Sequence, residues 1–428
     1  MQRRPADDIV SGMTSELQRL VDALGHKIQR NVTVDDARMR QLAFSSHEYG
    51  LVDRLRRQSI FQQRDVRPEV LAWTQAAGAR TAVKPFRPPL DPHIGCTEQR
   101  LVVPIRRQGA LIGYVWIVEG ATGLTDTELE TVLKTIDPLA VALYRDQLAE
   151  EFSRSKAREL AQELMVAGDP AARQHAASEL VDAGYFVASE PVCVVLVTLD
   201  ADGRGLSDSE RDVLGGWLDR TGRRLSDRRH VCLVRREHGL LLLSDKDPMF
   251  GGKEKVSLAR DLVSSILADL PGRDPYAGIG SLAGDLADAH SSYETAQRAA
   301  RVARSMGGPD RVVSHEELGV YGLLTRIPDR ELDETCVPPG LLRLIRSGPK
   351  GAQLVDTLEA FLENAGDVQT TAEQLFVHRT TLYYRLQRIE ELTGARLSDG
   401  EDRLMYHLGL KIARLIGVRH PHGDDPEA

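Results

Sequence analysis

The chain lacks most of what marks an enzyme, a metalloprotein or a membrane protein. It has four cysteines, Cys96, Cys193, Cys232 and Cys336, scattered with no metal-ligand spacing. Cys193 and Cys232 lie inside apolar strand-like runs and read as buried thiols. The histidines stand singly, and neither His290 nor His315 begins a His-x-x-x-His pair. No Ser/His/Asp order and no nucleophile elbow occurs, so no metal, no cofactor and no enzymatic activity is expected. No apolar run is long enough to span a bilayer, and the opening MQRRPADDIV lacks an apolar leader core. The expectation is a reducing cytoplasm and no membrane.

An excess of positive charge is also missing. With 63 acidic against 55 basic residues the net charge is −8, which excludes a protein that coats nucleic acid indiscriminately. A specific binder remains open, because binding uses a local positive face. The 42% hydrophobic and 28% charged content is ordinary for a soluble globular protein. A chain of 428 residues implies two to four domains, since single cores rarely grow beyond ~250–300 residues.

What is present is a basic helix pair near the C-terminus, Val368–Gly394, VQTTAEQLFVHRTTLYYRLQRIEELTG. The spacing predicts two short helices joined by a tight turn. Ala372 and Leu375 precede the turn at core spacing, and Val377 sits apolar within it. Leu382, Leu386 and Ile389 recur at i, i+4 and i+7 and form one buried stripe. That leaves Arg379, Thr381, Tyr384, Arg385 and Arg388 mostly on other faces, with no acid between His378 and Arg388. A helix that buries leucines behind and shows arginines in front suits a major groove, where arginine forks match guanine edges or phosphates. Glu390 and Glu391 appear only in the last turn, and Gly394 is placed to cap the helix. Double-stranded DNA is the expected partner.

The run Thr371-Ala372, Leu375, Val377-His378-Arg379, Thr381-Leu382, Tyr384-Arg385-Leu386 and Arg388 through Gly394 resembles the C-terminal helix-turn-helix of PucR/CdaR-type bacterial transcriptional regulators. That module is itself similar to the Fis-type helix-turn-helix. Its preceding helix resembles Leu354–Leu362 and its closing helix Asp402–Leu415. Position by position, the resemblance implies that His378, Arg379, Thr381, Tyr384 and Arg385 face DNA, with Arg388 further along on a phosphate. Thr380, also on this surface, departs from the pattern, which leads one to expect a more polar residue such as Asn.

Upstream, helices are expected near Ser15–Ile28 and Val34–Gln58, then a stretch punctuated by Pro85, Pro88, Pro89 and Pro92. Two strand-like runs follow, Arg100–Arg106 and Ala110–Val118, separated by Arg107-Gln108-Gly109. The pattern Val102-Val103-Pro104-Ile105 and Gly109 through Trp116 is similar to the central hairpin of GAF-type sensory domains, which implies a small-molecule effector pocket; plain scaffold is the alternative. From Thr125-Asp126 a helix runs to about Val166. Its seam of Ile136, Ala140 and Leu143, continued by Phe152, Leu160 and Leu164, either pairs with a second copy or packs on its own domain.

Val192–Leu199 is a continuous apolar run, as in a strand buried on both faces. It begins a βαββαβα order that looks like the degenerate nucleotide-cyclase (GGDEF-like) fold found in the middle of PucR/CdaR regulators. Active cyclases need glycines and carboxylates in the hairpin turn to admit the nucleotide and hold metal. Here the turn is Arg235-Arg236-Glu237-His238-Gly239. Gly251-Gly252-Lys253-Glu254-Lys255 lies beyond the hairpin and reads as a loop. Gly278-x-Gly280 lacks dinucleotide spacing and reads as a strand-end turn. Pro328, Pro338-Pro339-Gly340 and Ser347-Gly348-Pro349 read as a zone separating folding units.

The expected architecture is α+β and multidomain: a GAF-like sensory domain over 15–148, a helical linker over 149–189, a degenerate GGDEF-like α/β domain over 190–330 and an all-α helix-turn-helix domain over 340–419. The expected function is a sequence-specific DNA-binding transcriptional regulator, controlled by a small-molecule or protein signal sensed by the N-terminal domain and acting as a homodimer or higher even-numbered assembly. The competing reading is a nucleotide-binding or cyclase-related protein whose C-terminal helices serve oligomerisation; a mobility shift with the gene's upstream DNA separates the two.

Overall fold

A computed structural model describes residues 5–45, 68–199, 205–225, 230–244, 252–270, 272–307 and 311–418. The chain divides into two compact units, Met1–Lys156 and Ala157–Ala428.

In the first unit, helix α1 (Pro5–Ile28) buries Leu17, Val21, Leu24 and Ile28, spaced four, three and four apart. The stripe lies on a four-stranded antiparallel sheet of order β2-β1-β4-β3, made from β1 (Val32–Asp36), β2 (Gln41–Phe44), β3 (Arg100–Arg107) and β4 (Ala110–Val118). Helix α2 (Pro68–Ala76) lies between the two hairpins in sequence. Val34, Val103, Val115 and Ile117 share this core with Val132, Leu139 and Leu143 of α3 (Asp126–Val166). Gln108 and Gly109 both have positive φ, 51° and 84°. Two left-handed residues in a two-residue loop match the right-handed twist of the flanking strands.

The helix expected over Val34–Gln58 is not formed in its described part; that stretch begins as the β1–β2 hairpin, and residues 46–58 lie outside the described residues. Val32, Thr33 and Val34 favour extended backbone. The Asp36 carboxylate then accepts from the backbone N–H groups of Arg38 and Arg40, at 2.8 and 2.9 Å, and fixes the turn. At the other end of the sheet, Thr125 and Glu128 exchange backbone-to-side-chain hydrogen bonds that start α3 as a capping box. Ala140 and Leu143 of the expected seam are buried in their own domain, whereas Leu133, Val141, Leu148 and Phe152 of the same helix are exposed.

The second unit opens with the end of α3 and helix α4 (Pro170–Asp182), followed by a five-stranded sheet of order β6-β7-β5-β8-β9. Its elements are β5 (Val192–Leu199), α5 (Asp208–Arg224), β6 (His230–Val234), β7 (His238–Ser244), α6 (Gly252–Asp269), β8 (Pro275–Ile279), α7 (Ala289–Met306) and β9 (Val312–Ser314). All neighbours are antiparallel except β8 and β9. Central β5 buries Val192, Val194 and Leu196 on one face and Cys193, Val195 and Val197 on the other, which explains its unbroken apolar run. Gly252 through Lys255 form the first turn of α6 rather than a loop. Gly278 is inside β8 rather than in a strand-end turn. A Cβ there would sit 2.1 Å from the Ala296 carbonyl oxygen and 2.3 Å from the Ala300 nitrogen of α7, so glycine permits strand and helix backbones to touch.

The zone marked by Pro328 to Pro349 does not separate folding units. After the one-turn helix α8 (Tyr321–Leu324), it forms the short helix α9 (Pro339–Ile345), and Leu332, Val337, Leu341 and Leu344 are buried. These residues belong to one continuous core that also takes in Ala299, Val302 and Ala303 of α7 and the last four helices of the chain. The helices are α10 (Gly348–Glu363), α11 (Val368–Gln374), α12 (Arg379–Thr393) and α13 (Gly400–Leu415). Gly340 allows the approach: a Cβ there would meet the Thr393 carbonyl oxygen at 2.3 Å.

Candidate nucleic-acid interface

Helix α11 starts at Asp367, whose carboxylate accepts the Thr370 N–H at 2.6 Å. That bond holds the Asp367 carboxyl below its ordinary range, with a smaller contribution from the Arg379 charge. Thr371 and Ala372 are buried, and the Thr371 hydroxyl donates to the Asp367 carbonyl at 2.5 Å. The helix ends in a double hydrogen bond: Phe376 N–H to Glu373 O at 3.2 Å and Val377 N–H to Ala372 O at 3.0 Å. This is the Schellman closure, and it demands a left-handed residue at Phe376, where φ is 53°. Glycine usually fills that position. Here it is a phenylalanine with 95% of its surface exposed.

His378 caps α12, its Nδ1 accepting the Thr380 N–H at 3.4 Å and lying 2.9 Å from the Thr380 hydroxyl. Leu382, Leu386 and Ile389 are buried as their spacing requires. His378, Arg379, Thr380, Thr381, Tyr384 and Arg388 are all exposed, and Tyr383 joins them at 60% exposure beside Tyr384 at 70%. The structure therefore gathers six of the seven expected residues on open surface. Arg385 is half-buried, and its Nη1 donates to Thr357 of α10 at 3.3 Å. Arg388 pairs with Glu391 at 2.8 Å, one turn on. Gly394 closes α12 at φ 80°, its N–H bonded to Glu390 O. Tyr406 of α13 donates to Thr393 O at 3.0 Å and so braces the end of α12, while Arg414 of α13 pairs with Glu359 of α10 at 2.9 Å and ties those two helices together.

Reading the sequence did not single out Phe376 or Tyr383. Leu375-Phe376-Val377 looks like one apolar run; only the left-handed backbone turns the middle ring outward. The first turn of α12 has no acid, and the positive end of the helix dipole there favours anions.

In the middle of the second unit, the hairpin between β6 and β7 is tied to α7. Tyr293 Oη lies 3.0 Å from His238 Nε2 and accepts from Arg235 Nη1 and Gln297 Nε2, both at 3.1 Å. Burial, and then the Arg235 charge, lowers the His238 pKa to about 4.

A braced three-helix arrangement that shows a basic, acid-free helix start beside a tight turn defines a DNA-binding helix-turn-helix regulator. Residues 354–412 match the PucR C-terminal helix-turn-helix domain, and residues 174–302 match the GGDEF-like domain. The chain is 25% identical over 412 residues to the proline-responsive transcriptional activator PutR of Bacillus subtilis (strain 168), covering 94% of this chain and 97% of that one. It is 43% identical over 63 residues to the purine catabolism regulatory protein of the same organism, 15% of this chain and 12% of the relative. To the carbohydrate diacid regulator of Escherichia coli (strain K12) it is 30% identical over 138 residues, 32% and 33% of the two chains. The chain is a transcriptional regulator of the PucR/CdaR type. No helix among the described residues is long and apolar enough to cross a membrane.

Proposed function

We propose that this regulator reads operator DNA with the first two turns of α12 and answers to a small-molecule signal received by the sheet domain of the first unit. The observation that carries the reading is the division of α12. Leu382, Leu386 and Ile389 are buried on one side, and Arg379, Thr380, Thr381 and Tyr384 are exposed on the other. Arg379 reads a base edge, the Thr380 and Thr381 hydroxyls and His378 meet the backbone, and Arg388 exchanges Glu391 for a phosphate. Arg385 keeps one N–H on Thr357 and has the rest of its fork for the duplex. Arg379→Ala lowers operator affinity by about 1–3 kcal/mol and relaxes base preference, whereas Arg388→Ala weakens all sequences alike. Unchanged operator affinity in Arg379→Ala and Arg385→Ala proteins overturns this assignment.

The middle domain is a scaffold without cyclase activity. Its hairpin offers Arg235, Arg236 and one carboxylate, and Tyr293 and His238 are committed to each other. A cyclic dinucleotide formed from GTP and magnesium refutes that statement. The regulator works as a homodimer or a higher even-numbered assembly in the cytoplasm, because two heads ~34–36 Å apart multiply an affinity that one head cannot reach. The exposed row Leu133, Val141, Leu148 and Phe152 on α3 supports such pairing, being the apolar face a partner helix would cover. Sedimentation at micromolar concentration then shows no predominant monomer. The full-length relative named as proline-responsive supports a small metabolite as the signal.

A further inference from the structure

Phe376 stands in the turn between α11 and α12 against two physical preferences. Its φ of 53° is a left-handed angle that a residue with a Cβ adopts only at a penalty. Its ring, 95% exposed, is also the most exposed of the large apolar side chains among the described residues. Glycine would remove both penalties at once. The neighbours do not share them, since Leu375 and Val377 pack against the core. The ring therefore stands alone on the surface. A protein partner would be met by a cluster of apolar side chains over several hundred Å².

The ring is carried on a fixed backbone. The bonds that close α11, from the Phe376 and Val377 N–H groups to Glu373 O and Ala372 O, hold the chain on one side. The cap of α12 at His378 holds it on the other. Asn364, which ends α10, donates from Nδ2 to Gln374 Oε1 at 2.6 Å and ties this end of α11 to its neighbour. A group presented this way loses little freedom on docking.

Charge and reach name the occupant. Between Glu373 and Glu390 the chain has no acid, while it carries His378, Arg379, Arg385 and Arg388. Phe376 and His378 are separated by at most about 7 Å of chain, so a groove that takes in the start of α12 lies within reach of the ring. The base edges on the floor of a major groove are hydrogen-bond donors and acceptors, with one apolar exception, the C5 methyl of thymine. Phenylalanine is among the side chains suited to that methyl.

We propose that Phe376 reads a thymine methyl in the operator's major groove, a specificity contact made from the turn and not from the helix that follows it. The proposal rests on the reading of α12 as the helix that enters the groove, and it adds a base that Arg379 does not read.

The test uses the full chain and a footprinted operator in which each thymine in turn is replaced by uracil. That exchange keeps the base pair and removes only the methyl. In mobility shifts with the unaltered protein, one such replacement lowers affinity by about fourfold, the gain expected from withdrawing one apolar carbon from water. Phe376→Gly, which frees the backbone and keeps the fold, binds the thymine operator less tightly by a similar factor. It is indifferent to uracil at that same position. Arg379→Ala loses affinity overall yet keeps the methyl dependence there. No uracil effect at any position, or one that persists unchanged in Phe376→Gly, overturns the proposal. Unchanged operator affinity in Phe376→Gly with regulation of transcription lost also overturns it, and assigns the ring to the transcription machinery. Unchanged affinity in Arg379→Ala with the methyl dependence of Phe376 intact upholds the proposal and removes Arg379 from base reading.

Discussion

Replacing Phe376 by glycine makes the second unit more stable, although it removes a large apolar side chain. The ring is 95% exposed, so about 5% of the ~150–250 Å² a phenylalanine can bury is lost, on the order of 10 Å². At about 25 cal/mol per Å² that is roughly 0.3 kcal/mol. Against it stands the backbone. A residue with a Cβ at φ 53° costs about 1–2 kcal/mol, of which glycine's greater freedom in the unfolded chain takes back about 0.5–1. The net gain is on the order of 0.5 kcal/mol, or a rise of about 1–2 °C in the Tm of this unit. Thermal unfolding of the full chain followed by circular dichroism measures it. Phe376→Ala serves as the control, losing the same ring while keeping the strained φ. Glycine and alanine variants of equal stability would show that the backbone at Phe376 stores no strain, and the reasoning fails.

Gly278→Ala drives a methyl group into the backbone of α7 at 2.1 Å and should cost about 4 kcal/mol or more, measured by denaturant unfolding. Operator binding goes with it, although the position is remote from α12 in sequence. For His238, the folded pKa of about 4 lies below its ordinary 6.5, so the folded state resists protonation. Its contribution is whole above pH 6.5 and is lost as pH falls toward 4, a decrease of about 3 kcal/mol. His238→Gln flattens that slope in stability measured between pH 7 and 4; a slope that persists places its source elsewhere.

The helix-turn-helix was legible because every local signal agreed. The buried stripe at Leu382, Leu386 and Ile389 and the cap at Gly394 report backbone preference directly. The βαββαβα order of the middle domain was legible for the same reason, apart from three-residue β9, too short to leave a periodic trace. Phe376 was hidden because exposure there depends on one backbone angle and not on composition. Val34 misled as a helix start because the Asp36 turn works through a side chain bonding to two backbone groups, which no periodicity displays. The prolines after Pro328 misled in another way. They break helices as expected, yet Val337 and Leu341 beside them are apolar enough to draw the segment into the core.

The unbroken core running from α7 through Val337 and Leu341 to α12 leaves the reading head no slack. A head on a flexible tether would tolerate half-sites at many separations, paying only in effective concentration. A head whose hydrophobic interior is continuous with the neighbouring sheet domain behaves as the end of a ruler. In the two-headed assembly proposed above, moving one half-site by about five base pairs, half a turn of the duplex, would present its groove to the wrong side. Restoring a full turn does not restore contact, because the ruler cannot lengthen. Operators for this protein should therefore be recognisable by one fixed distance as much as by their bases.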